Sequence, residues 1–296
     1  MNYQNMDCLE YLKSVEDKSI DLIIADPPYY RVVKDRWDKQ WASLDEYNEW
    51  TTLWVKELER VAKYSCSLWL FGYPRNVQGT SLQLTEYGFN FRQQIIVNKG
   101  MRAVAGRTNT SHKLFPTTTE SAFFFHYDAR EHIAKLLEEQ REQMKWKAID
   151  INTLIGKSTS GGGAYSAMVN SNPEKRVYPK KEYWERMSEV FDLPTYEDLV
   201  YTFNLPPGIS DVWDDIDFYD KSTPKIHPTQ KPLQLIDRII RTSTNEGANV
   251  LDMFAGSGTT AVACKLLKRN FYGCEIDPEY YDLSKERIES VNPILF

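Results

Sequence analysis

A chain of 296 residues, 42% of them apolar, can bury a substantial core, and its composition is that of an ordinary water-soluble protein. The formal net charge of -6 argues against indiscriminate coating of nucleic acid, although net charge is blind to local basic patches. The start MNYQNMDCLEYL has no signal-peptide pattern and no later apolar run is long enough to cross a bilayer, so a cytoplasmic protein without a membrane partner is expected.

In chain order, DLIIADPPYY (21–30) opens with an apolar run, Leu22 to Ala25, that reads as a buried parallel strand stopping abruptly at Asp26, Pro27, Pro28, Tyr29 and Tyr30. Ser43 and Glu46 make a capping box for a helix whose apolar residues Leu44, Tyr47, Trp50, Trp54, Leu58 and Val61 recur at helical spacing. CSLWLFG (66–72), RQQIIVNKG (92–100) and ESAFFFHY (120–127) read as strands. After Tyr127 the alternation is lost. A charged helix, REHIAKLLEEQREQMKWKA, is followed by a glycine-rich stretch and proline-punctuated pieces as far as Lys221, so 128–221 is expected to be a recognition region between two halves of one domain, 1–127 and 222–296. The regular pattern then resumes with a helix starting near Pro232, a strand NVLDMF, a helix GSGTTAVACKLLKRN, a strand FYGCEID and a last helix PEYYDLSKERIESV. Cys8, Cys66, Cys264 and Cys274 have neither metal-ligand nor disulfide spacing and read as reduced, buried thiols; no metal is expected.

Chemistry concentrates at two places. Gly256 and Gly258 let the backbone turn sharply and approach a ligand at a helix N-terminus, and Glu275, about twenty residues on, stands where an acid can hold ribose hydroxyls. That describes a nucleoside site. Gly256, Gly258 and Ala261 also satisfy the dinucleotide fingerprint, so this segment alone leaves a nicotinamide-dependent oxidoreductase open, as well as a turn that merely packs a helix on a sheet. The second place is the end of the first strand. Ligands of open α/β sheets sit beyond the carboxyl ends of the strands, so Asp26 to Tyr30 and Phe254 to Gly258 are expected to face one crevice. Prolines carry no N–H, so Pro27 and Pro28 offer acceptors without competing donors, Asp26 adds a carboxylate, and Tyr29 a flat face. An acceptor-only lip suits an exocyclic amine, while ordinary turn chemistry is the bland alternative.

With both segments in view, the chain resembles the S-adenosylmethionine-dependent DNA amino-methyltransferases, the N6-adenine/N4-cytosine family. DPPYY resembles the catalytic motif, LDMFAGSGTT the cofactor loop, and HPTQKP (227–232) a signature ahead of that loop, in the order of the beta class; WDKQW (37–41) also falls where the family has similar text. The resemblance implies an α/β fold: a circularly permuted Rossmann-like sheet, mostly parallel, of seven strands with helices on both faces and an inserted target-recognition region. It implies methyl transfer to N6 of a flipped-out adenine in double-stranded DNA, with Asp26 and the Pro27 carbonyl gripping the amine, Pro28 completing the lip and Tyr29 stacking on the base. It puts Phe254 against the cofactor's adenine, Gly256 and Gly258 near its methionine part, and Glu275 on its ribose. Asp7 would accept from the adenine amine, Thr229 and Lys231 would meet the methionine carboxylate, and Asp252 its amine. Read without the resemblance, Asp7 is a helix N-cap and Lys231 a solvated lysine. Asp at the head of the motif favours adenine N6; the beta-class cytosine N4 enzymes, the alternative, usually carry Ser there. A homodimer and a cognate restriction endonuclease are further partners that the family suggests.

No carboxylate occurs between Glu86 and Glu120, whereas Arg92, Lys99, Arg102, Arg107 and Lys113 do, which makes this a candidate phosphate-binding loop over the crevice. Lys175, Arg176, Lys180 and Lys181, interleaved with Tyr178, Tyr183 and Trp184, form a second basic candidate.

Overall fold

The computed structural model describes residues 1–30, 40–104, 115–157, 163–220 and 225–292. Two compact units emerge, one from Met1–Tyr127 with Thr202–Phe296 and the other from Asp128–Tyr201.

The first unit is an eight-stranded sheet. Its strands are β1 (Asn2–Asn5), β2 (Ile20–Ala25), β3 (Ala62–Phe71), β4 (Phe89–Asn98), β5 (Thr119–Tyr127), β6 (Val212–Trp213), β7 (Asn249–Asp252) and β8 (Asn270–Glu275), in the order β1-β8-β7-β2-β3-β5-β4-β6. The contacts of β5 with β3 and β4 are antiparallel and all others are parallel. The sheet is therefore mostly parallel, with the two-residue β6 added to the expected seven strands. The segment expected to run from 128 to 221 is shared between the units: the second unit ends at Tyr201, and Val212 and Trp213 pair with Ile96 and Val97 of β4 in the first.

Both faces of the sheet are buried at its centre. Ile23 and Ala25 of β2 pack with Leu68 and Leu70 of β3 against Tyr11 and Leu12 of α1 (Cys8–Lys13) and Trp54 and Leu58 of α2 (Leu44–Val61). Ser43 caps α2 by accepting from the Glu46 N–H at 3.1 Å, and the Glu46 carboxylate reaches back to the Ala42 N–H at 2.7 Å, so the capping box is closed one residue early. A helix absent from the sequence reading, α3 (Pro74–Glu86), joins β3 to β4. On the other face Trp69, which alternation turns away from Leu68 and Leu70, donates its indole N–H to Ser243 at the end of a helix over Leu233–Ser243.

The second unit is helical: α4 (Arg130–Gln143), α5 (Ala148–Leu154), α6 (Gly163–Met168) and α7 (Lys181–Ser188). Ile133, Leu137, Ile151, Tyr165, Trp184 and Met187 are buried in it. The Leu233–Ser243 helix is then α8, and α9 (Thr259–Leu266) and α10 (Pro278–Ser290) close the first unit. Among the described residues no helix is long and apolar enough to cross a membrane.

Candidate active site

Two tight turns build the site. At the end of β7 the Asp252 carboxylate accepts from the Phe254 N–H at 3.0 Å and from the Thr260 hydroxyl at 2.5 Å, bracing the turn between β7 and α9. Gly256, at φ +50°, donates its N–H to Glu275 at 2.7 Å, and the other oxygen of Glu275 accepts from the Asp277 N–H at 2.9 Å. Glu275 thus ties the ends of β7 and β8 together. Asp7 caps α1 by accepting from the Leu9 N–H at 2.8 Å.

A cavity of about 410 Å³ opens beyond these turns, and every catalytic and cofactor position derived from the sequence lines it except Gly258. Gly258, at φ +69°, faces the other way: a Cβ there would lie 3.0 Å from Ser284 Cβ and 3.2 Å from Ile288 Cδ1, so this glycine permits the close approach of α9 and α10 rather than of a ligand. The bland reading of Asp7 as an N-cap holds, but the same residue also faces the cavity. Trp50, read from the sequence only as one position on the apolar face of α2, is a wall of the cavity. Its ring lies 5.9 Å from Phe254, which Trp54 flanks on another side, also at 5.9 Å.

The end of β2 forms the opposite wall. Asp26 accepts from the Tyr29 hydroxyl at 2.6 Å on one oxygen and from the Lys231 ammonium at 2.6 Å on the other. Lys231, expected at a cofactor carboxylate, lines the cavity with its ammonium between Asp26 and Glu120, 2.8 Å from the latter, over the face of Phe71. Thr229, its neighbour in HPTQKP, interacts with His227 Nδ1 at 3.1 Å. Burial works against the charge of Lys231, but Asp26 and Glu120 outweigh it and hold the ammonium above its ordinary range. Burial likewise opposes the charge of Glu120, and Lys231 and Lys99 more than offset it, so this carboxyl stays below its usual value. Burial, reinforced by Asp26, pushes the Tyr29 hydroxyl well above its ordinary value, so Tyr29 remains a donor. Asp252 is driven up to about 7 by burial, in spite of its two hydrogen bonds. Glu275 is raised as well, by burial that the Asp277 and Gly256 N–H groups oppose.

Of the cations expected on DNA, Arg92 and Arg102 are exposed, while Arg107, Lys113 and most of WDKQW lie outside the described residues. The Lys99 ammonium lies 3.3 Å from Glu120 and three quarters of its side chain is covered. In the second unit the basic cluster is also largely spoken for, since Arg176 pairs with Glu131, Lys181 with Glu197 at 2.6 Å, and Tyr183 and Trp184 are buried. Glu120 was missed by the sequence reading. Its signal is a lone acid opening a largely apolar strand, ESAFFFHY.

Comparison with known proteins completes the picture. A family model described as DNA methylase matches residues 20–286. The chain is 27% identical to Type II methyltransferase M.HinfI of Haemophilus influenzae over 97% of its own length and 68% of that protein, and 27% identical to Type II methyltransferase M2.DpnII of Streptococcus pneumoniae over 97% and 88%. The crystal structure of the M1.HpyAVI-SAM complex shares its fold, with a TM-score of 0.58 at 21% identity over 97% of this chain and 98% of that one.

Proposed function

The chain belongs to the DNA methylase family, and on that premise we propose that it transfers the methyl group of S-adenosylmethionine to the N6 amine of an adenine flipped out of double-stranded DNA. One observation carries the reading: the acceptor-lined end of β2 and the glycine turn after β7 open on the same cavity. The residues suit the cofactor. A volume of about 410 Å³ falls within the usual range of ligand pockets, roughly 300 to 1,000 Å³. Phe254 and Trp50 provide an aromatic wall for a purine, and Asp7 and Glu275 provide carboxylates for its amine and ribose hydroxyls. When bound, the cofactor supplies an electrophilic methyl group on a sulfonium.

The exocyclic nitrogen of adenine is a poor nucleophile because its lone pair is delocalised into the ring. In the proposed mechanism Asp26 and the Pro27 carbonyl accept its two N–H bonds, draw it toward tetrahedral geometry and turn its lone pair toward the cofactor side of the cavity. Pro28 is less suited to that task, since its carbonyl already accepts from the Tyr47 hydroxyl at 3.1 Å. Tyr29 tethers its ring beside these acceptors through the bond to Asp26 and stacks on the base, a contact worth ~1–3 kcal/mol on other aromatic platforms. Asp26 stabilises the positive charge that develops on nitrogen, and Asp26 or water takes the released proton. A base inside a duplex cannot reach such a cavity, hence the flipping.

The unit Asp128–Tyr201 is proposed as the target-recognition region, with exposed Lys175 and Lys180 as its cations toward DNA, and a restriction endonuclease of the same specificity as the partner enzyme. The test is transfer of labelled methyl from S-adenosylmethionine to unmodified duplex DNA, followed by digestion to nucleosides. N6-methyladenine is expected. N4-methylcytosine would replace the acceptor, and no incorporation at all would refute the reading.

A further inference from the structure

Joined to the acceptor corner is a chain of charges that the proposed mechanism uses only at its Asp26 end. Lys231 stands 2.6 Å from Asp26 and 2.8 Å from Glu120, and the second oxygen of Glu120 lies 3.3 Å from Lys99. The side chains of Lys231 and Glu120 are only 10% and 16% exposed. Two carboxylates and two ammoniums therefore balance in a largely buried row that runs from the end of β2, through the segment before α8, to β5 and β4. Such a row is a poor device for stability, because apolar side chains of similar volume usually serve at least as well. It is a good device for holding one carboxylate still.

Glu120 does not line the cavity, whereas Lys231 and Asp26 do. Its direct ion pair toward the acceptor corner is the one to the lysine. Lys231 occupies one oxygen of Asp26 and leaves the other, where Tyr29 now donates, for the substrate. Were Glu120 absent, the ammonium would keep a single carboxylate partner against the cost of burial, and it would be free to shift and carry Asp26 with it.

We propose that Glu120 is a positioning residue of the transfer site, clamping Lys231 so that Asp26 presents the oxygen on which Tyr29 now donates to the substrate amine. This rests on the reading of Asp26 as the amine acceptor. The groups facing Lys231 are Asp26 and, through it, Tyr29 at the end of β2; the Phe71 ring at the end of β3; Glu120 on β5 with Lys99 behind it; the Thr259 hydroxyl, which donates to the Lys231 carbonyl at 3.3 Å; and Asp252 on the cavity wall. Of these, only Asp26 and Glu120 reach its ammonium with a carboxylate. Removing Glu120 therefore lowers the pH at which Lys231 gives up its proton, and the clamp is lost as pH rises.

The experiment compares the full chain with Glu120→Gln, Glu120→Asp and the double variant Glu120→Gln/Lys231→Arg. Methyl transfer to unmodified duplex DNA is measured at saturating cofactor from pH 6.5 to 9.5, alongside thermal melting and calorimetric binding of S-adenosylmethionine. Glu120→Gln is expected to bind the cofactor within threefold of the parent, to lose about 30-fold in kcat at neutral pH, and to lose more as pH rises, an alkaline fall that the parent lacks. The double variant is expected to remove that alkaline fall, since a guanidinium keeps its proton throughout this range. Should Glu120→Gln not fold, Glu120→Asp carries the test with a smaller fall of the same direction, because the shorter side chain cannot reach both lysines. A folded Glu120→Gln with the kcat and pH profile of the parent overturns the proposal, and so does a pH-independent loss matched by an equal loss of cofactor affinity. If the parent chain moves no methyl group to DNA, the proposed function fails instead.

Discussion

Asp26→Asn tests the acceptor most directly, because it keeps the shape of the side chain and removes its charge. Asp26 now meets a donor on each oxygen, Tyr29 on one and Lys231 on the other, both at 2.6 Å. The asparagine must turn its amide oxygen toward Lys231, since the opposite orientation would set an NH2 group against an ammonium. Its NH2 then faces Tyr29, whose hydroxyl can rotate to accept, so the resting site stays satisfied and the protein is expected to fold. The substrate amine, however, meets a donor where it needs an acceptor. Removing one preorganised group that stabilises developing charge costs ~3–4 kcal/mol, or about 10²- to 10³-fold in kcat. The cofactor corner uses other residues, so calorimetric affinity for S-adenosylmethionine is expected to change less than threefold. Single-turnover transfer of labelled methyl to unmodified DNA measures the chemical step. A rate within tenfold of the parent would refute the role given to Asp26, and so would a loss explained wholly by weaker cofactor binding.

Three further outcomes follow from the geometry. Phe254→Ala deletes the aromatic wall against Trp50 and Trp54 and is expected to weaken S-adenosylmethionine binding about 10-fold, ~1.4 kcal/mol, while kcat at saturation falls less than threefold; an unchanged Kd by calorimetry would contradict the placement of the purine. Gly258→Ala forces a left-handed backbone on an L-residue and drives Cβ against Ser284, so a loss of ~2 kcal/mol and a melting temperature lower by about 4 °C or more are expected; a melting curve like the parent's would refute the close packing of α9 on α10. Because Asp252 is held up to about 7, the folded chain keeps a proton between about pH 4 and pH 7 that the unfolded chain has released, and stability falls as pH rises through that window, by about 4 kcal/mol at most. Asp252→Asn has no proton to lose, so its melting temperature relative to the parent should improve from pH 5 to pH 8, and a difference independent of pH would argue against a buried, protonatable carboxyl.

The parts of the site that were legible in the sequence are those whose chemistry is local. A strand ending in Asp26, Pro27 and Pro28 declares its acceptors without reference to any neighbour, and the Gly256 turn declares its sharp backbone. Direction and partnership are not local. Nothing in RQQIIVNKG or ESAFFFHY tells a parallel from an antiparallel strand, and only the pairing of β5 with both β3 and β4 decides it. Helix α3 escaped notice because it begins at Pro74 without a side-chain cap and continues through the mostly polar SLQLTE. The pairing of Lys231 and Lys99 with Glu120 is not legible because Glu120 is far from both along the chain; burying the three together gives each a partner that composition cannot reveal. In the cluster around Tyr183 and Trp184 the burial of those two rings, and the acids that pair with Arg176 and Lys181, are illegible for the same reason.

That two corners coded at opposite ends of the polypeptide meet at all depends on one choice of register. Ile23 of β2 pairs with Leu251 of β7, and Asp26 and Phe254 each stand three residues further along. A slip of two residues would carry one corner ~6.6 Å past the other, far too much for a methyl group to pass between them. Apolar patterning does not prevent such a slip, because Leu22, Ile23, Val250 and Leu251 are buried alike whichever face they occupy. The choice is made at the opposite end of the strands. There Asp21 accepts from the Asn249 N–H at 2.8 Å and from Lys63 of β3 at 2.8 Å, and the Asn249 amide donates to the Ser19 carbonyl at 2.9 Å. These bonds can form in one alignment only, so polar groups at the starts of the strands determine where the reactive groups at their ends come to lie.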